Sequence, residues 1–412
     1  MINIFDKPSL LDKAFGNNVE LLPGVNELFE LELAFMEYSS LPSEQLLERT
    51  AFIKSIDNNF SKHYLLYSNH SDKINANRTS VTQAYFEEGK FSTGYATHGL
   101  FPYRGKFHPQ LIKGLMNILN IQKGETVLDP MAGSGTTSIE SALMGINSLA
   151  IDVSPFCQFM IKTKYEALTI DLKSLENTIF DSRKIFNFFI SGNVLERINK
   201  IEDTNKRKIY DLAFLAFLDA LGYSKRVIKS NHQQLFDKVL PRYIETAKSF
   251  LSNPYFEQDK IGNLEILFDS DALNMKIEKD SIDCIITSPP YSFAIDYAEN
   301  DRDQLEFLGY DADELKNKLI GLKGKTKSQK LQNYFSDMDT FCSQVSHVLK
   351  QGKYFVMIIG SNTNQTGGVR LEETVINSAM KYDMPLVKSI LKPIKGMRNT
   401  MKDEYILIFE KN

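Results

Sequence analysis

Short apolar runs at 126–129, 148–152, 264–268, 282–287 and 354–359 alternate with amphipathic segments through most of this chain. Runs this brief and this apolar suit strands buried on both faces, and amphipathic crossovers between them give a mostly parallel sheet with helices on both sides. Two further runs, 385–391 and 403–410, flank a Gly- and Lys-bearing turn around Gly396. They are expected to close the sheet as an antiparallel hairpin, so the fold class expected is α/β, a doubly wound sheet of seven strands.

The interval between the second and third runs is far longer than a crossover requires. Leu172, Leu175, Ile179 and Ile185 recur in it at helical spacing, which marks 166–262 as a helical insert. Its most apolar stretch, 209–221, contains Asp211 and Asp219. It is shorter than the roughly 20 residues that span a bilayer and reads as a buried helix. Ahead of the sheet, Leu28, Leu31, Leu33 and Phe35 follow a helical period and Ser43-Glu-Gln makes a helix start, whereas 67–99 is polar and loop-like. The expected division is a helical N-terminal region over 1–95, a sheet domain over 96–165 and 263–412, and the insert over 166–262.

With 42% hydrophobic and 24% charged residues the chain is neither disordered nor a coiled coil. Its net charge of −4, from 48 basic and 52 acidic residues, means that any polyanionic partner must meet a local basic surface. Cys157, Cys284 and Cys342 lack a CxxC spacing and the six histidines are dispersed, so no metal site is expected and a reducing compartment fits. The N-terminus meets charge too early for a signal peptide, which gives a cytoplasmic expectation with no membrane partner.

The segment Asp129-Pro-Met-Ala-Gly-Ser-Gly-Thr-Thr137 runs from strand into helix. Gly133 and Gly135 remove side chains where a ligand can approach the backbone, and Thr136 can cap the helix. A P-loop would carry a lysine here, and none is present. Asp129 would repel a phosphate and suits a cation such as the ammonium of an amino-acid moiety. Asp152, ending the second run, is placed to accept both hydroxyls of a ribose. Ribose and ammonium are both parts of S-adenosylmethionine; taken alone, the glycines fit equally an ordinary strand–helix turn or a dinucleotide site.

The strand 282–287 runs directly into Ser288-Pro289-Pro290-Tyr291. Two prolines cannot extend a central ladder, so the chain leaves the sheet rigidly at its carboxyl edge. That arrangement suits methylation of an exocyclic amine, whose lone pair is delocalised into its ring. Ser288 Oγ and the Pro289 carbonyl can accept its two N–H bonds while Tyr291 stacks on the base, with no metal or covalent nucleophile.

Taken together, Asp129-Pro-Met-Ala-Gly-Ser-Gly-Thr-Thr and Thr287-Ser-Pro-Pro-Tyr resemble the S-adenosylmethionine-dependent DNA methyltransferases that modify cytosine N4 or adenine N6. The Ser form of the second motif is similar to that of the cytosine enzymes. The resemblance covers about 96–165 and 263–412. It implies a Rossmann-like methyltransferase sheet, donor contacts along Asp129, Pro130, Ala132, Gly133, Ser134, Gly135 and Thr136, the ribose on Asp152 beside Val153, and the adenine at Asp271 and Ala272. It also implies that the segment from Gly99 to Leu111, through Phe107 and His108, covers the methionine end. This chain departs from similar enzymes that keep target recognition at the C-terminus, because it stops at the hairpin. Recognition is therefore expected in the insert, the N-terminal region or both.

Lys316, Lys318, Lys323, Lys325, Lys327 and Lys330 fall in a stretch with no acid, read as a mobile basic loop that clamps phosphates. Lys206, Arg207 and Lys208, with Lys225 and Arg226, give the insert its own basic clusters. Three functions stay open: an active DNA amino-methyltransferase, with cytosine N4 preferred over adenine N6 and a possible cognate restriction endonuclease; an RNA or protein-amine methyltransferase; and an idle DNA-binding subunit. The last two would show an RNA-binding module or damaged motifs. Neither is visible, so double-stranded DNA is the expected partner.

Overall fold

The computed structural model describes residues 10–22, 25–66, 94–103, 105–226, 231–290, 296–360, 366, 368–393 and 403–412. It opens with helices α1 (Leu10–Phe15), α2 (Leu28–Ser40) and α3 (Ser43–Arg49); the period from Leu28 to Phe35 predicts α2 and the Ser43 start predicts α3, whereas α1 lies ahead of that period. Interleaved with them are strands β1 (Val19–Leu21), β2 (Ile53–Ile56) and β3 (Asn59–Phe60), which form a small antiparallel sheet that the period does not reveal. Strands of two to four residues are too short to display alternation. Glu37 of α2 is fully buried and accepts from Thr50 Oγ1 at 2.7 Å, Ala51 N at 2.8 Å and Asn117 Nδ2 at 2.6 Å. The last of these bonds pins the N-terminal region to helix α4 (Pro109–Ile118), and Phe15, Leu33 and Phe52 share one core with Leu111, Ile112 and Leu115 of that helix. Most of the polar stretch read as a loop, 67–93, lies outside the described residues.

The main sheet contains β4 (Thr126–Asp129), β5 (Asn147–Ala150), β6 (Leu264–Ile266), β7 (Ile282–Thr287), β8 (Leu349–Gly360), β9 (Leu386–Pro393) and β10 (Asp403–Glu410). Their order is β6-β5-β4-β7-β8-β10-β9, parallel through β8, with β10 antiparallel to both neighbours. This is the doubly wound, seven-stranded arrangement with a closing hairpin that the sequence rhythm predicts. The turn around Gly396 lies outside the described residues. Every residue of β7 is buried; its centre, Cys284 to Ile286, is apolar, while Asp283 pairs with Lys350 at 2.7 Å and Thr287 donates to Asp129.

Helix α5 (Thr136–Leu143) joins β4 to β5. Between β5 and β6 run α6 (Pro155–Ala167), α7 (Leu172–Asn177), α8 (Ser182–Ile190), α9 (Val194–Asn199), α10 (Thr204–Arg226) and α11 (His232–Leu251). This long crossover carries its own aromatic core of Phe186, Phe189, Phe214, Phe217 and Phe236. The apolar stretch at 209–221 lies in α10. Its two acids are ion-paired: Asp211 with Lys162 at 2.8 Å and Asp219 with Arg242 at 2.8 Å. Ile179, expected on the apolar face, is 92% exposed because the helix breaks between α7 and α8.

After β7 come the short helices α12 (Tyr297–Asn300), α13 (Arg302–Phe307) and α14 (Ala312–Lys316). Leu305, Ala312 and Leu315 from this stretch enter the core of the insert. Gln304 Nε2 also donates to the Leu218 carbonyl at 3.1 Å. A Cβ on Gly222 would lie 2.1 Å from that nitrogen, so a larger residue there would displace the Gln304 amide. The insert is thereby bolted to the chain that leaves the Thr-Ser-Pro-Pro strand. Two longer helices, α15 (Lys327–Val348) and α16 (Leu371–Lys381), complete the fold. Side-chain alternation along β10 divides the core into two layers: Ile406 and Ile408 join the layer of α4, while Leu407 and Phe409 join that of α15 and α16.

Candidate active site

Strand order reverses between β4 and β7, and ligands of open α/β sheets bind in the crevice outside the carboxyl ends at such a point. A cavity of about 420 Å³ opens there. The loop after β4 contributes Pro130 and Gly133, that after β5 Asp152 and Val153, that after β6 Asp271 and Ala272, and that after β7 Ser288 and Pro290. Both sequence motifs thus line one chamber. Pro289 is buried behind it, and Tyr291 lies outside the described residues.

Gly133 and Gly135 have φ of +51° and +78°, a region that disfavours side chains, and Gly135 caps α5. A Cβ at Gly135 would come within 3.0 Å of Ile161. Ala132, Ser134 and Thr136, expected along the donor, are buried within the loop and do not line the cavity. Beneath them, the buried Lys164 donates from Nζ to the Ser134 carbonyl at 3.1 Å. Burial pulls this ammonium down to about 7.

Asp129 has a different neighbourhood from the cation site expected of it. It is 1% exposed and does not line the cavity. Its oxygens accept from Thr137 Oγ1 at 2.8 Å, Thr287 Oγ1 at 2.8 Å and Met131 N at 3.2 Å. The carboxylate therefore ties the glycine loop to the strand that ends in Ser-Pro-Pro. Burial pushes it up to about 6 against the pull of those bonds.

Asp152 does face the cavity. Each of its oxygens accepts one backbone amide, from Gly133 at 2.8 Å and Ser154 at 2.8 Å, which leaves acceptor capacity for two hydroxyls. Burial raises it, too, to about 6. Asp271 Oδ1 accepts the Leu273 amide at 2.7 Å within its own turn, and Ala272 beside it is buried. Phe107 and His108 do not line the cavity: Phe107 packs on the α2–α4 core, and His108 precedes α4, its imidazole pulled down to about 4 by burial. The same segment instead delivers Tyr103 and Gly105.

Sequence reasoning missed Tyr297 and Asp301, which line the cavity from the stretch after the Ser-Pro-Pro motif. Their spacing of four residues was the available signal. The basic stretch is also not the free loop expected. Acids flanking the stretch meet it: Lys316 meets Asp296, Lys318 meets Glu314, four residues earlier, at 3.2 Å, and Lys323 meets Asp337 at 3.0 Å. Lys318 and Lys323 line the cavity, while Lys327 and Lys330 stand on the first turn of α15, capped by Thr326. In the insert, Lys206 is exposed near the start of α10, and Lys208 Nζ donates to the Thr169 carbonyl at 3.2 Å beside Arg207. The side chain of Arg226 lies outside the described residues.

Among the described residues no cluster of His, Cys, Asp and Glu could hold a metal, and no helix is long and apolar enough to cross a membrane. Residues 100–208 match the UPF0020 family, described as an RMKL-like methyltransferase domain. The chain is similar to the Type II methyltransferase M.BsoBI of Geobacillus stearothermophilus, 25% identical over 301 residues that cover 58% of this chain and 59% of that protein. It is similar also to the Type II methyltransferase M.MjaII of Methanocaldococcus jannaschii, 28% identical over 160 residues, covering 37% and 30%. A stretch of 53 residues is 34% identical to the tRNA (guanine(10)-N2)-dimethyltransferase of Methanothermobacter thermautotrophicus, covering 13% of this chain and 16% of that one. The chain therefore spans less than two thirds of the length of the first two relatives.

Proposed function

We propose that this chain is a site-specific DNA methyltransferase that uses S-adenosylmethionine to methylate an exocyclic amine of a base turned out of the duplex, with cytosine N4 the preferred target. The observation that carries this reading is that Asp152 and Ser288, one suited to a ribose and the other to an amine, line the same cavity. Its volume of about 420 Å³ lies in the usual range of small-molecule sites, roughly 300–1,000 Å³. The similarity to Type II methyltransferases agrees with it.

In this reading Asp152 accepts the ribose hydroxyls, Asp271 accepts from the adenine amino group, and Val153 and Ala272 flank the ring. Gly133 and Pro130 give the donor access to backbone. When bound, the donor supplies an activated methyl group. Ser288 Oγ and the Pro289 carbonyl accept the amine's two N–H bonds, favouring a pyramidal nitrogen whose lone pair points away from the ring, while Tyr291 stacks on the base and Pro290 holds the turn. Asp129 acts through Thr287 by keeping the two motifs in register. The insert over 166–262 is the proposed target-recognition subdomain, and a cognate restriction endonuclease is the partner that such an enzyme would have.

The test is to digest DNA and RNA from a host expressing the chain to nucleosides and identify them by mass spectrometry. N4-methylcytosine in DNA is expected. N6-methyladenine alone would move the target base and leave the mechanism standing, whereas methylation confined to RNA would overturn the DNA reading.

DNA phosphates are assigned to Lys325, Lys327 and Lys330, with Lys206, Arg207 and Lys208 on the insert; Lys323 is largely neutralised by Asp337. Replacing Lys325, Lys327 and Lys330 with glutamine should weaken DNA binding alike across sequences. It should also flatten the slope of log affinity against log salt by about 0.9 for each phosphate no longer neutralised. Titrations at several salt concentrations measure it, and an unchanged slope would leave these lysines as ordinary solvated charges.

A further inference from the structure

Residues 94–103 carry Tyr103 to the cavity through a series of turns, with no helix or strand to hold them. Ala96 and Phe101 both have positive φ, +49° and +60°. A side chain as bulky as Phe101 rarely adopts that left-handed conformation, which persists only where neighbours over-determine it. Two sets of neighbours do so here. At one end, Tyr95 and His98 meet Glu140 of α5, with His98 Nε2 2.7 Å from Oε1. At the other, the amide of Phe101 donates to the Tyr243 hydroxyl at 2.8 Å.

Tyr243 belongs to the insert. It is fully buried on α11, and its hydroxyl donates at 3.0 Å to Oδ2 of Asp219 on α10, an oxygen that also accepts from Arg242 at 2.8 Å. Burial, then the charge of Asp219, holds the phenol far above its ordinary range, so it keeps the proton that it donates and leaves an oxygen lone pair to the Phe101 amide. The Phe101 ring packs edge-on against Phe156 of α6, centroids 4.9 Å apart. Two residues on, Tyr103 stands between the glycine loop and the chain after β7. A Cβ on Gly133 would lie 3.5 Å from its ring, and Tyr297 meets it with centroids 6.3 Å apart and planes within 14° of parallel. Gly133 is the residue whose amide donates to Asp152.

We propose that Tyr243 is a positioning residue of the donor site: its hydroxyl, offered by the insert, fixes the turn at Phe101 and through it the Tyr103 ring that backs the glycine loop. This role rests on S-adenosylmethionine being the donor bound in the cavity. Removing the hydroxyl takes away the acceptor of the Phe101 amide, and the left-handed turn then relaxes toward the backbone conformation that its side chain prefers. Tyr103 moves with it, away from its place against Gly133 and the Asp152 loop. The insert, proposed above to read the target, thereby also shapes the chamber for the donor.

Calorimetric titration of the full chain with S-adenosylmethionine, run as a double-mutant cycle, tests it. At a temperature where its melting curve shows it folded, Tyr243→Phe should weaken the donor about five- to tenfold, and Tyr103→Ala at least as much. Because Tyr243 acts through Tyr103, adding Tyr243→Phe to Tyr103→Ala should change affinity by less than about twofold. Losses that multiply would give Tyr243 a different route to the site and overturn the inference, as would unchanged affinity in folded Tyr243→Phe. If Tyr243→Phe does not fold, amide exchange in the parent decides. Coupling through one bond is reciprocal, so saturating donor should slow exchange in the insert peptide that carries Tyr243 as well as in the peptide that carries Phe101. An insert left unprotected would overturn the inference. A folded parent that binds no donor overturns the donor reading and this inference with it, a result seen before any variant is made.

Discussion

Ser288→Ala is expected to slow single-turnover methyl transfer by about 100- to 1,000-fold, the usual effect of removing one preorganised hydrogen-bonding group from a transition state, while donor affinity stays within about twofold. The amine's lone pair is delocalised into the base, and an acceptor that pulls on its protons is most effective as the nitrogen becomes pyramidal. Ser288 is half-buried at the end of β7 and faces the cavity. Its neighbours are anchored: Thr287 on one side donates to the buried Asp129, and Pro289 on the other is packed away from solvent. A melting curve of the alanine variant checks that the strand end, anchored at Thr287, is retained when the acceptor is removed. Rapid-quench measurements at saturating donor and DNA give the rate directly, and a rate within a few-fold of the parent would remove Ser288 from the chemistry.

The strands of the sheet's centre are legible because burial on both faces favours short, mostly apolar runs, as in Cys284 to Ile286 of β7. The two loops were legible because glycine and proline dictate backbone geometry locally, so Gly133, Gly135 and Pro289 carry their meaning without reference to partners. What the sequence could not reveal depends on tertiary neighbours. Asp296 and Asp337, which meet Lys316 and Lys323, lie 20 and 14 residues from them, and folding brings each pair together, whereas Lys318 meets Glu314 only four residues away. Asp129 was read by its position at a strand end, but Thr137 and Thr287 take up its acceptor capacity. In the segment between Gly99 and Leu111, Phe107 turns to the core, whereas Tyr103 lines the cavity. Periodicity cannot resolve such a choice in a stretch that is not helical.

Asp152→Ala should weaken S-adenosylmethionine binding by about 1.5–3 kcal/mol, roughly 10- to 150-fold, the cost of losing charge-assisted bonds to two hydroxyls. The pH dependence separates this role from a structural one. Burial raises Asp152 to about 6, so its acceptor charge is complete above about pH 7 and disappears as the pH falls through 6. Donor affinity in the parent should therefore be flat at neutral pH and fall below it, while Asp152→Ala, already weak, should lose most of that acid-side slope. Stability runs in the opposite sense. Asp129 and Asp152 hold protons more tightly in the native state than in the unfolded chain between about pH 4 and 6, so their contribution to folding favours acid and declines as pH rises through that window. A loss of donor binding at low pH would thus arise while these two groups favour the folded state, and melting curves recorded alongside the titrations distinguish lost affinity from lost fold. Affinity that is unchanged in a folded Asp152→Ala variant would assign the residue to the loop alone, through its bonds to Gly133 and Ser154.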